Sequence, residues 1–131
     1  MAYIFPVSRK FVAQPAQNGN IAVIGNAADG RVGTWMVQFV PSEDFVGSFG
    51  IVGRAYGKVA GDDEVPYQSV PYRRVSLNGV ASDYAIATAA VGGTADIIQI
   101  PSNGLNIGLL IAASAGECAV YSWDLNGPSA I

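Results

Sequence analysis

Apolar and polar positions alternate along this chain over short stretches, and no helical period holds for two full turns, so the pattern predicts strands joined by turns throughout. Residues 31–40 form the clearest case, with Trp35, Val37 and Phe39 on one face and Met36, Gln38 and Val40 on the other. A Pro41-Ser42-Glu43-Asp44 turn leads into residues 47–56, and the two runs read as a hairpin. Gly47, Gly50 and Gly53 within the second run mark a bulge or a close backbone approach. A further hairpin is expected over residues 104–125. Its first run is apolar on both alternating sets, Leu105, Ile107, Leu109 and Ile111 against Gly108, Leu110 and Ala112, which suits a central strand covered on both sides. The turn Ser114-Ala115-Gly116 follows. The returning run sets Ala119, Tyr121, Trp123 and Leu125 against Cys118, Val120, Ser122 and Asp124.

Shorter strands are expected at residues 21–24, 70–77, 83–90 and 95–100, with Pro71 placing the start of its strand at a sheet edge or bulge. Asn-Gly pairs beginning at Asn18, Asn78, Asn103 and Asn126 supply the positive φ that tight turns need. Residues 1–20 lack a steady period and are broken by Pro6 and Pro15, and they read as an extended arm with short strands at 3–7 and 11–14. The fold class expected is all-β: a single antiparallel β-sandwich or jelly-roll of about eight strands with an extended N-terminal arm. Residues 1–30 would hold the arm and first short strands, 31–125 the sandwich and 126–131 a C-terminal tail.

Composition adds one fact that the pattern does not carry. Only 13% of the 131 residues are charged, against about 25% in an ordinary soluble domain. Part of the exterior is therefore expected to be covered in the working state, as in a component of an assembly. A net charge of −3 and seven scattered cations leave no basic stripe to grip nucleic acid. No apolar run reaches the roughly 18 residues of a membrane span, and the N-terminal residues have their apolar members ahead of their cations, the reverse of a secretory signal. Synthesis in a cytoplasm is expected, with neither nucleic acid nor membrane as partner.

The chemistry of an enzyme is thinly represented. The chain has no His, which removes the usual general base near neutral pH and the commonest metal ligand. Asp62, Asp63 and Glu64 lie together in a hydrophilic loop, but no ligand spacing around them builds a calcium site, and a solvated tip is the simpler reading. Glu43 and Asp44 read as turn polarity, while Asp83 and Asp96 could meet across paired strands. The single cysteine, Cys118, sits in an apolar strand and reads as a buried, inert thiol. Arg73 and Arg74 point to opposite faces of a regular strand, one suited to a salt bridge at an interface and one to solvent. Trp35, Tyr56, Tyr67, Tyr72, Tyr84, Tyr121 and Trp123 could stack on a glycan, although most alternate with core positions and packing is the favoured reading. No cofactor is expected.

Several stretches, taken in order, carry a resemblance. Gly33-Thr34-Trp35-Met36-Val37-Gln38-Phe39 leads into Asp44-Phe45-Val46-Gly47-Ser48-Phe49-Gly50-Ile51-Val52-Gly53-Arg54. Val70-Pro71-Tyr72-Arg73-Arg74-Val75 follows, and then Gly104-Leu105-Asn106-Ile107-Gly108-Leu109 with its Ser114-Ala115-Gly116 turn. This order resembles the small β-sandwich structural proteins of tailed bacteriophages, which serve as head decoration (cement) proteins and as tail or fibre modules. The likeness spans residues 31–125 and departs from the pattern in the lack of charge in the strand after Gly104. It implies a non-enzymatic virion protein on the capsid surface that binds the major capsid protein and self-associates, with a trimer favoured. Tyr3, Ile4, Phe5 and Phe11 of the arm would dock on a neighbour, with Arg73 or Arg74 at an interface. A tail, neck or fibre-base component is the alternative within that class, and a carbohydrate-binding β-sandwich the alternative outside it.

Overall fold

The computed structural model of the chain describes residues 5–6, 8–25, 33–55, 65–75, 85–86, 88–91, 96–125 and 129–130. The strands are β1 (Phe5–Pro6), β2 (Arg9–Ala13), β3 (Ile21–Gly25), β4 (Thr34–Pro41), β5 (Val46–Arg54), β6 (Gln68–Ser69) and β7 (Pro71–Val75). They continue with β8 (Ala85–Ile86), β9 (Thr88–Val91), β10 (Asp96–Pro101), β11 (Asn106–Ala115), β12 (Cys118–Asp124) and β13 (Ser129–Ala130). A one-turn 3-10 helix, Pro15–Gln17, stands between β2 and β3.

Two antiparallel sheets pack together as a β-sandwich, the class that the alternation predicts. One sheet has six strands in the order β2-β12-β4-β10-β7-β8, and the other runs β3-β11-β5-β6, with β9 also on β5. β1 and β13 pair with each other as a separate ribbon, Phe5 opposite Ala130. The two sheet orders correspond: β2 matches β3, β12 matches β11, and β4 matches β5. The two strands of each matched pair, consecutive in the chain, therefore lie in opposite sheets, whereas β5 and β6, and β7 and β8, pair side by side.

Both expected hairpins are corrected by this arrangement. β4 pairs with β10 and β12, and β5 with β11, β6 and β9. β11 pairs with β3 and β5, and its successor β12 with β2 and β4. Each connecting segment is an arch that crosses the roughly 10 Å between packed sheets. The two arches hold one another in place. The Ser42 amide donates to the Glu117 carbonyl at 2.8 Å, and the Glu117 amide donates to the Ser42 hydroxyl at 3.1 Å. At the other end, the Ser102 amide donates to the Gly33 carbonyl at 3.0 Å. The turn there has positive φ at Asn103 (50°) and Gly104 (77°), as an Asn-Gly pair permits, yet it also joins strands of different sheets.

The segment read as an arm is largely part of the sandwich. β2 pairs along β12 from Cys118 opposite Ala13 to Ser122 opposite Arg9. The Asn18-Gly19 turn is stitched to the edge of β11 beyond β3: the Gly19 amide donates to the Ile111 carbonyl at 2.7 Å, the Ile111 amide to the Asn20 carbonyl at 2.9 Å, and the Ala113 amide to the Asn18 Oδ1 at 3.1 Å. The sandwich thus takes in the chain from Arg9, not from residue 31. The stretch read as one strand at 83–90 holds two short strands, β8 in one sheet and β9 in the other.

The core lies between the sheets and is built from inward-facing residues of β2, β3, β4, β5, β7, β10, β11 and β12. Trp35, Val37 and Phe39 of β4 face Phe49 and Ile51 of β5, with Ile98, Ile100, Ile107, Leu109, Ile111, Cys118 and Val120 around them. Phe39 and Phe49 stack with ring centroids 4.7 Å apart, and Phe45 extends the stack at 6.3 Å. Burial of each such large side chain stabilises the fold by about 1.5–3 kcal/mol.

Candidate interaction surface

Among the described residues the places where chemistry could occur are sparse. At the arch end, an open depression of about 400 Å³ is lined by Gln14, Ser42, Asp44, Gly116 and Glu117. The Ser42 hydroxyl donates to Asp44 Oδ1 at 2.7 Å while accepting from the Glu117 amide, so it serves the arch as a tie. At the opposite end Ser102, Ser122 and Asp124 are buried polar residues, and Asp124 lies against Gly33. Among the described residues no three His, Cys, Asp or Glu side chains are placed to hold a metal ion. Glu43 is exposed in its turn, and Asp96 stands opposite Phe39. Asp62, Asp63, Glu64 and Asp83 lie outside the described residues. Cys118 is fully buried, and that burial pushes its thiol up to about 11 from an ordinary 9.0, with the Val40 backbone hydrogen bond acting against it.

The residues expected to meet a partner are dispersed. Tyr3 and Ile4 lie outside the described residues, and Phe5 is in the ribbon with β13. Phe11 is not an arm residue: in β2, opposite Val120, it is partly buried against the core. Arg73 and Arg74 do fall on opposite sides of β7, opposite Gln99 and Ile98. Both are half-buried and both have partners, so neither is the solvent-exposed cation expected of the pair.

The aromatics divide in a way the sequence does not reveal. Trp35 and Tyr72 are buried in the core. Tyr121 and Trp123, read as packing residues, stand on the outer face of the six-stranded sheet. The cause is register: Val120, Ser122 and Asp124 are opposite the inward-facing Phe39, Val37 and Trp35, so the set between them must face out. Lys10 reaches over the Tyr121 ring at 5.5 Å. Tyr67 is under the Arg54 guanidinium at 4.3 Å, and Tyr56 and Tyr84 lie outside the described residues.

The outer face of the five-stranded sheet differs in kind. Along β11, Ile107, Leu109, Ile111 and Ala113 face the core while Leu110, Ala112 and Ser114 face out. Coverage of this strand on both sides, expected from its sequence, is therefore absent at Leu110 and Ala112. β5 adds Val46, Ser48 and Gly50 to the same face, and β3 adds Ile21 and Val23. Val46 is 57% exposed, Val23 53% and Leu110 37%. Ile21 and Tyr67 lie beside Gly108, and Leu110 lies beside Gly50, so bulky neighbours occupy the space above the glycines. The strands of this sheet carry a single charged residue, Arg54, whereas those of the six-stranded sheet carry Arg9, Lys10, Arg73, Arg74, Asp96 and Asp124. The apolar reading of residues 104–112 contained a signal for this surface; the contributions of Val23 and Val46 were hidden in strands that look ordinary. No protein-family model matches this chain, and no curated protein or solved structure matches it either.

Proposed function

We propose that the chain is a non-enzymatic structural protein of a bacteriophage virion, a capsid decoration protein that binds the major capsid protein and copies of itself. The observation that carries this reading is the surface of the sandwich: apolar side chains such as Val23, Val46, Leu110 and Val40 are exposed on the outer sheet faces, in a chain with half the usual charge. A monomer gains nothing from such faces, whereas a shell that repeats one modest contact many times gains strong attachment. The resemblance of residues 31–125 to phage β-sandwich proteins supplies the kind of assembly. Quantitative mass spectrometry of virions from the phage that encodes the chain tests the proposal. Copy numbers on the order of hundreds, as shell symmetry requires, are the expected result. About a dozen copies or fewer would move the protein to the tail or fibre base, and absence from the particle would overturn the assignment.

One observation favours a second reading, a carbohydrate-binding module. Tyr121 and Trp123 stand two residues apart on one outer face, beside Gln38 and Met36 on β4. Rings for stacking next to the Gln38 amide for hydrogen bonding suit a sugar surface. Binding on a glycan array that Trp123→Ala abolishes without loss of fold would favour this reading over the first. Trp35 is buried and drops out of it.

A further inference from the structure

We propose that Asn103 is a site of spontaneous covalent modification, losing its side-chain amide through a cyclic imide to become aspartate or isoaspartate. The fold protects the other described Asn-Gly pair, Asn18-Gly19, from the same change. The inference goes beyond the virion reading and is independent of it. In an Asn-Gly pair the glycine nitrogen can approach the asparagine Cγ because the glycine has no Cβ to crowd it. Both asparagines are exposed, so access to water does not separate them. What separates them is the backbone geometry of each turn and what holds each reacting atom.

At Asn103 the chain stands close to the geometry that the ring needs. With φ of 50° and 77°, Asn103 and Gly104 form the centre of a type I′ turn, closed by the Leu105 amide donating to the Ser102 carbonyl at 2.8 Å. A five-membered imide holds ψ of its residue at about −120°, the value at the first central position of a type II′ turn, where φ is about +60°. A flip of the peptide plane between Asn103 and Gly104 makes that change and leaves φ of Asn103 as it is. The flip takes Gly104 to negative φ, which glycine adopts freely. The turn's own bond uses the Leu105 amide, not the Gly104 nitrogen that must attack. The reaction balances with water alone. The Gly104 nitrogen gives its proton to hydroxide and bonds to Cγ, the Cγ–Nδ2 bond breaks, and Nδ2 leaves as ammonia with a proton from water. Water then opens the ring at Cγ to give aspartate, or at the backbone carbonyl to give isoaspartate, whose chain runs through one extra carbon. At Asn18 both reacting groups are engaged. Its Oδ1 accepts from the Ala113 amide at 3.1 Å, and the Gly19 nitrogen donates to the Ile111 carbonyl at 2.7 Å. Ring closure there would break both ties to the β11 edge.

Peptide mapping by mass spectrometry tests this on the full chain, held folded at mildly alkaline pH and sampled over weeks. A parallel sample in guanidinium chloride gives the rates without the fold. In the folded chain Asn103 should convert at least about tenfold faster than Asn18, because two hydrogen bonds must be lost at Asn18. In the denatured sample the two rates should converge. Part of the product at Asn103 should be isoaspartate, read as a second peptide of the same mass that elutes separately and accepts a methyl group from an isoaspartate methyltransferase. Asn78 and Asn126 lie outside the described residues, and their peptides are scored separately. Equal conversion of Asn103 and Asn18 in the folded chain, or faster conversion at Asn18, overturns the inference. So does an Asn103 that stays intact when folded while the denatured sample converts. A ratio that persists undiminished in denaturant also overturns it, since the difference would then belong to the flanking residues and not to the fold. None of these outcomes bears on whether the chain is found in virions.

Discussion

Cys118 shows how far a single side chain can be followed from its surroundings to a measurement. Its thiol is fully buried among core residues, and burial disfavours the thiolate. Below pH 9 both the folded and unfolded chains hold the proton, so nothing is lost. Between pH 9 and about 11 the unfolded chain releases it while the folded chain keeps it. Stability should then fall by about 1.4 kcal/mol per pH unit across that window. Urea unfolding of the native chain and of Cys118→Ala should separate this contribution, the variant lacking that part of the slope. Equal slopes would mean that the thiol titrates normally. Gly116 and Gly19 form a second comparison at this scale. Both have positive φ, 71° and 89°. A Cβ at Gly116 would be 2.7 Å from the Phe45 backbone, whereas one at Gly19 would meet nothing within 4 Å. Gly19→Ala should cost about 1–2 kcal/mol from conformation alone, and Gly116→Ala more than about 2 kcal/mol because backbone strain and a clash with backbone combine. A cost at Gly116 no larger than at Gly19 would contradict the close approach of the two arches.

Among the elements, β2 decides where the protein can be shortened. It forms five paired positions with β12, and its Ala13 is fully buried. β1, by contrast, pairs with β13 over two positions among the described residues. Removal of residues 1–7 should therefore leave a sandwich whose urea midpoint is little changed, whereas removal of residues 1–14 should strip an edge strand from the six-stranded sheet and unfold or aggregate the chain. If a terminal segment docks on a capsid, only the shorter deletion can test it cleanly. Particles decorated as tightly by the 1–7 deletion as by the full chain would exclude that role for Tyr3, Ile4 and Phe5. The arches are the other lesson of this scale. Ser42 and Glu117 tie the β4–β5 and β11–β12 arches across 75 positions of sequence, and Ser114 adds a hydroxyl bond to the Val46 carbonyl at 3.2 Å.

For the whole molecule, where the charges sit matters more than their total. The strands of one sheet carry Arg54 alone, and those of the other carry Lys10 and Arg73 in the outward register, with Arg74 opposite the buried Ile98 and Asp124 itself buried. Self-association made through exposed apolar side chains such as Val23, Val46 and Leu110 is held by burial rather than ion pairs, so its affinity should not weaken as salt is raised. Sedimentation at low and at high ionic strength checks this. Self-association that weakens in salt would instead point to a contact held by ion pairs.

The alternating sequence was sufficient for the fold class, for most of the strands and for the Asn18-Gly19 and Asn103-Gly104 turns. Those properties are local: a period of two residues and a positive φ are set by neighbours in the chain. The inward set of β4, Trp35, Val37 and Phe39, was legible for the same reason. Pairing was not. Ser114-Ala115-Gly116 can close a hairpin or arch between sheets, and the choice rests on Phe45 against Gly116 and on Ser42 against Glu117. The facing of β12 was equally undetermined, because a one-residue change of register exchanges Ser122 and Asp124 for Tyr121 and Trp123. The candidate surface follows the same division. The apolar run from Leu105 to Ala112 is written in the sequence, but only the tertiary structure decides that Leu110 and Ala112 face outward beside Val23 and Val46, since that face is assembled from strands far apart in the chain.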